Sequence, residues 1–128
     1  MASLDCPCGA AHYTDCCSPY HEGLHATQAT LLMRSRYSAY VLRLEDYLLD
    51  TWHPRTRPDR LDLTDDQTRW LGLQIKHQTA AKNTATVEFI ARYKISGRAY
   101  RLHEISQFVF EQNRWFYLEG IFPERLER

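Results

Sequence analysis

The stretch Val87-Glu88-Phe89-Ile90-Ala91-Arg92-Tyr93-Lys94-Ile95-Ser96-Gly97-Arg98-Ala99-Tyr100-Arg101-Leu102-His103-Glu104-Ile105-Ser106-Gln107-Phe108-Val109-Phe110 decides the fold. Val87, Phe89, Ala91, Tyr93 and Ile95 alternate with Glu88, Ile90, Arg92 and Lys94, a period of two that puts one set on each face of a strand. Ser96-Gly97-Arg98 supplies a hairpin turn, and Tyr100, Leu102, Glu104, Ser106, Phe108 and Phe110 resume the alternation. Working outward, Leu71, Leu73, Ile75 and His77 alternate in an earlier strand that begins at Arg69. Gln112-Asn113 turns the chain into Trp115-Phe116-Tyr117-Leu118. Four strands in series with short connections predict an antiparallel meander.

Before the strands the period lengthens. Thr27 is a candidate N-cap for a helix over Gln28 to Leu42, with Leu32, Arg36, Tyr37, Tyr40 and Leu44 near one face. Glu45-Asp46 starts a second short helix through Tyr47-Leu48-Leu49, and Trp52-His53-Pro54 stops it, because Pro54 pushes His53 out of the helical region. Arg55 to Asp66 reads as a charged surface loop. Helices first and strands afterwards is an α+β order. A curved four-stranded sheet with helices across one face buries both sets.

At 128 residues the chain suits one main core. Lysine plus arginine equals aspartate plus glutamate, 16 against 16, so no basic footprint argues for nucleic acid or anionic lipid. Met1 to Asp5 has neither a basic n-region nor an apolar h-region, so no signal peptide is expected. No run approaches a membrane span. A cytoplasmic location follows as an expectation.

All four cysteines fall in Cys6-Pro7-Cys8-Gly9-Ala10-Ala11-His12-Tyr13-Thr14-Asp15-Cys16-Cys17. Two corners, Cys-x-Cys and Cys-Cys, can close round one tetrahedral ion. Four thiolates favour zinc and leave no position open for substrate, so Cys6, Cys8, Cys16 and Cys17 are candidate ligands of a structural zinc. Disulfides or a redox pair are the alternative. His12, His21 and His25 compete as ligands, and with four thiols at hand they are expected at the surface. The division follows: residues 1–25 as knuckle and connector, 26–128 as the α+β body.

Cys6-Pro7-Cys8-Gly9 followed by Cys16-Cys17 resembles the SEC-C motif, the zinc-binding tail of the bacterial preprotein translocase motor. The usual motif has eight residues between its second and third cysteines; Gly9 to Asp15 is seven. Leu32 to Tyr40, Asp46-Tyr47-Leu48, Thr51-Trp52-His53-Pro54, Trp70-Leu71-Gly72-Leu73 and His103-Glu104-x-Ser106-x-Phe108 resemble the YchJ-like family of small bacterial proteins. That resemblance implies a cone-shaped body of the nuclear-transport-factor-2-like type with an N-terminal zinc knuckle. It names no reaction. For partners, it implies a protein related to secretion, chaperones or the ribosome, contacted by the knuckle. The loop between Cys8 and Cys16 has no lysine or arginine, which argues against lipid or RNA there. A second copy of the chain is a further candidate, since folds of this type often pair through the concave sheet.

Two functions compete, and the first is the expectation, with the second as its alternative. In the first, the knuckle is a rigid recognition tip and the protein is a binding or adaptor module without catalysis. In the second, a small ligand or substrate enters the cone. Candidate pocket residues are Arg34, Arg36, Tyr37, Trp52, His53, Trp70, Arg92, His103, Glu104 and Trp115. His103 and Glu104 are adjacent on a strand and point to opposite faces, so they form no dyad. If Glu104 faces inward it is buried and needs a donor such as Arg34 or Arg36. The five glycines are scattered, which leaves no phosphate-cradling loop.

Overall fold

The computed structural model describes residues 5–61, 63 and 67–123. Of the loop 55–66, residues 62 and 64–66 therefore lie outside the described residues. A 3-10 turn, Tyr13–Asp15, precedes α1 (Ser18–His21), α2 (Ala29–Leu42) and α3 (Glu45–Asp50). The meander follows as β1 (Arg69–Ala80), β2 (Thr84–Ile95), β3 (Arg98–Glu111) and β4 (Arg114–Ile121). The sheet order is β1-β2-β3-β4, all antiparallel. The α+β class and the curved meander stand as read from the periodicity.

The two predicted turns close with two residues each. Ser96 and Gly97 have φ of 52° and 80°, and Gln112 and Asn113 have 54° and 65°. Positive φ at both central positions matches the twist of the strands they join, which is why Gly and Asn occur there.

β1 departs from simple alternation. Its register against β2 slips between Trp70 and Gly72 and again between Ile75 and His77. Each bulge adds one residue and reverses the faces. Trp70 thus opposes Tyr93 on the inner side with Leu73 and Ile75, whereas Leu71 is 49% exposed. Beyond the second bulge His77 opposes Glu88 and Gln78 opposes Val87. The expectation that Leu71, Leu73, Ile75 and His77 share one face is corrected accordingly.

The helix α2 crosses the concave face of the sheet. Leu32, Met33 and Tyr37 pack with Val87, Phe89, Ala91 and Phe108 in one cluster that also contains Cys6, Cys8 and Cys17. Ser35, Ser38 and Ala39 on other faces of α2 are wholly buried, because the knuckle and α3 cover them. Small residues at those positions allow close approach on three sides, which blurs the apolar stripe expected of a surface helix. Thr27 is not the cap: Gln28 occupies the N-cap position in extended conformation without a side-chain hydrogen bond.

After α3 the chain runs beside β4. Tyr117 N–H donates to Thr51 O at 2.9 Å, His53 N–H donates to Tyr117 O at 2.8 Å, and Trp52 bridges Tyr117 in parallel sense. The edge of β4 is thereby covered, which removes a row of unpaired backbone groups. Among the described residues no helix is long and apolar enough to cross a membrane.

Candidate metal centre and cone cavity

The cysteine corners are built by turns. Gly9 N–H donates to Cys6 O at 3.0 Å and closes the first corner; Cys16 N–H donates to Tyr13 O at 3.1 Å and sets up the second. The four sulfurs lie within 4.8 Å of one another. Cys8 to Cys16 is 3.6 Å and Cys16 to Cys17 is 3.8 Å, far beyond a disulfide bond, and all four are free thiols. A tetrahedral ion with metal–sulfur bonds of about 2.3 Å requires an edge of about 3.8 Å. The donor set and its spacing therefore fit one ion coordinated by Cys6, Cys8, Cys16 and Cys17, and the seven-residue loop does not prevent the corners from meeting. Such an ion would supply cross-linking, with no position left for a substrate.

Protons and a cation compete for these sulfurs. The Cys8 thiol is held down to about 4, chiefly by its hydrogen bond with Cys17. The same contact pushes Cys17 up, and burial pushes Cys16 up to about 12. Of these three sulfurs Cys8 is thus the one that most readily carries negative charge.

Ser38 of α2, 0% exposed, donates to Cys17 Sγ at 3.2 Å and lies 3.5 Å from Cys6 Sγ. His21, expected at the surface, is half-buried. Its Nε2–H donates to Ser35 O at 2.8 Å, which leaves Nδ1 to accept from the Tyr13 hydroxyl at 2.6 Å. Burial lowers its pKa and keeps it neutral. The chain Tyr13–His21–Ser35 pins the knuckle to α2, a role with no local sequence signal because Ser35 belongs to another element.

Between α2 and the sheet lies a cavity of about 250 Å³. Arg36, Tyr37, Trp70 and Glu104 line it, four of the ten candidates, with Met33, Tyr40, Phe89, Ala91, Leu102, Ser106, Phe108 and Tyr117. The other six candidates sit elsewhere. Arg34 reaches Cys8 O at 3.5 Å. Trp52 packs edge-on against Tyr117 outside the cavity, and its Nε1 is buried with no hydrogen-bond partner among the described residues. His53 takes a hydrogen bond from Arg55 N–H on Nδ1 and donates through Nε2 to Glu111 at 3.0 Å. Arg92 is exposed, and His103 meets Glu88 at 2.7 Å. Trp115 Nε1–H points to Thr27 O at 3.4 Å. Strand parity explains Arg92 and His103, whose neighbours Ala91 and Glu104 occupy the inner face.

Glu104 is 8% exposed. Ser106 Oγ donates to its Oε2 at 2.7 Å and Tyr117 OH donates to the same oxygen at 3.0 Å. The expected ion pair with Arg34 or Arg36 is absent. Arg36 Nη1–H donates instead to Leu48 O and Thr51 Oγ1, both at 2.7 Å, and its guanidinium lies over the rings of Trp52 and Tyr117. Backbone carbonyl and aromatic faces replace the carboxylate as its surroundings. Burial lowers the Arg36 pKa, and burial followed by the Glu104 charge raises that of Tyr117, so Tyr117 stays a donor. Sequence reasoning missed Tyr117 as the residue that stands between the two charges.

Residues 28–120 match the family model of the YchJ middle NTF2-like domain. A UPF0225 protein of Bordetella pertussis is 54% identical over 120 residues, 90% of each chain. The chain belongs to the YchJ-like family. Two solved structures share its fold. The solution structure of a SEC-C motif containing protein from Rhodopseudomonas palustris is 35% identical, with a TM-score of 0.80, covering 93% of this chain and 98% of that one. The crystal structure of a sec-c motif containing protein from Psychrobacter arcticus is 31% identical, with a TM-score of 0.77, covering 93% and 81%.

Proposed function

We propose that this YchJ-like chain is a small-ligand-binding protein, with zinc as the structural ion of its knuckle. The observation that carries this is the cavity itself: an apolar and aromatic enclosure into which one buried carboxylate projects, the usual composition of a ligand site. Binding is assigned rather than turnover, because the hydroxyls of Ser106 and Tyr117 are already committed to Glu104 Oε2. Zinc is favoured over other ions by four thiolates at tetrahedral spacing, and reduced thiols suit the cytoplasm. Metal content by mass spectrometry, with free thiols counted before and after chelation, tests the zinc: one per chain and four thiols released on chelation are expected. Titration of small aromatic probes, followed by shifts of the Phe89 and Phe108 resonances, tests the cavity. Absence of any shift on the inner face refutes the ligand reading.

A protein-adaptor role is favoured by a different observation. Leu24, beside the knuckle, is 59% exposed, the most exposed of the large hydrophobics among the described residues. A protein partner from the secretion, chaperone or ribosome machinery would cover it. Leu24→Asp should release such a partner while leaving metal content unchanged; an unaltered set of bound proteins removes the adaptor role.

A further inference from the structure

The ligand-binding reading leaves the class of ligand open, and the cavity chemistry narrows it. Glu104 uses one oxygen only. Its Oε2 accepts both hydroxyl hydrogens, whereas no donor among the described residues reaches Oε1. Among the described residues only Trp52 Nε1 is fully buried without a partner, so Oε1 is not sealed off but open to the cavity, and a carboxylate this far from bulk water gains from a contacting counter-charge. Arg36 lines the same cavity and its charge acts on Glu104 from a distance, but no hydrogen bond joins the two. Its Nη1 is taken by Leu48 O and Thr51 Oγ1, and the Tyr117 ring, 4.6 Å from its guanidinium carbon, is interposed. The walls also matter. Trp70 sits edge-on to Tyr37 and beside Tyr40, and all three rings line the cavity. Aromatic faces attract cations most strongly where water is excluded. An anion, by contrast, would meet the Glu104 charge.

From these observations we infer that the cavity takes a protonated organic amine with a small apolar body. The ammonium donates to Glu104 Oε1 and supplies a contacting counter-charge, while the apolar body packs on Phe89, Phe108 and Trp70. This rests on the ligand-binding reading.

The test compares three probes of one shape, phenethylamine, 2-phenylethanol and phenylacetate, titrated at neutral pH into the metal-loaded full chain and followed by NMR and calorimetry. Phenethylamine should bind at least about tenfold more tightly than 2-phenylethanol, since charge-assisted hydrogen bonds are roughly twice as strong as neutral ones. Phenylacetate should not bind. Glu104→Gln should bring the amine to the level of the alcohol. Should that variant fail to fold, the ranking of the three probes on the unaltered protein decides. Alcohol or carboxylate binding as tightly as the amine, with shifts on the inner face, overturns the amine assignment and leaves the cavity reading standing. No inner-face shift with any probe overturns both.

Discussion

Gly120 of β4 stands directly beneath Glu104, opposite Ser106 in the strand register. A Cβ at this position would come within 2.6 Å of the Glu104 carboxyl carbon and 2.9 Å of its Cγ, closer than packed atoms approach. Gly120→Ala therefore forces the carboxylate to move. A flexible glutamate would yield cheaply at a surface, but this one is held by Ser106 and Tyr117. Hydrogen bonds to a charged group are worth about 1.5–3 kcal/mol each, and losing or stretching them costs on that scale. Alanine in a strand recovers about 0.5–1 kcal/mol relative to glycine. The net expectation is a loss of about 2 kcal/mol, or a Tm lower by about 8 °C for a chain of this size. The assay is urea unfolding of four proteins at constant metal: the parent, Gly120→Ala, Glu104→Ala and the double variant. In the Glu104→Ala background the three atoms nearest the added methyl are gone, so Gly120→Ala should cost far less there. The coupling energy should then be about 2 kcal/mol or more. A Gly120→Ala protein within about 0.5 kcal/mol of the parent, with no coupling, would show that Glu104 is not anchored as described.

Chelating the metal, or replacing Cys8 by Ser, should abolish stoichiometric metal binding and lower the Tm sharply, since knuckle and core share one cluster; calorimetry with and without chelator checks this, and an unchanged Tm refutes it. Tyr47 is pushed up to about 12 by burial, and Tyr117 is also raised. Because the folded state holds these protons more tightly, stability is complete below pH 10 and falls as the pH rises through the folded values. Tyr47→Phe should flatten that alkaline limb between pH 10 and 12, and an equally steep limb counts against the burial of the hydroxyl. Arg36→Met should cost about 3 kcal/mol, because Leu48 O and Thr51 Oγ1 lose a charged donor in a buried place; a melt within a degree of the parent contradicts that packing.

The meander was legible because period-two alternation and two-residue turns are local properties of the chain. The bulges of β1 were not: an extra residue leaves its neighbours' identities unchanged, and only Gly72 and the adjacency of Trp70 and Leu71 hinted at a slip. The cysteine cluster was legible from residue type and spacing alone. The surroundings of Arg36 were not, since Leu48 O is a backbone atom, to which sequence gives no sign. Glu104 was placed on the inner face by parity, yet its donors proved to be Ser106, two positions along, and Tyr117, on the neighbouring strand. A charged partner was expected where two hydroxyls stand, both on Oε2.

The clamp that residues 51–53 place on the edge of β4 also dictates an order of assembly. Thr56 Oγ1 donates to Leu118 O across 62 positions of sequence, whereas the hairpins of the meander close over two or three. Loop-closure entropy favours the short connections first, so the meander should form before the helical layer docks. Ser38 and Ser35, which receive the knuckle, are carried by that later layer. Tight coordination then arrives last. In stopped-flow refolding, tryptophan burial in the sheet should precede metal uptake, which would make an ion held by the four cysteines a reporter that the whole chain has reached its final form.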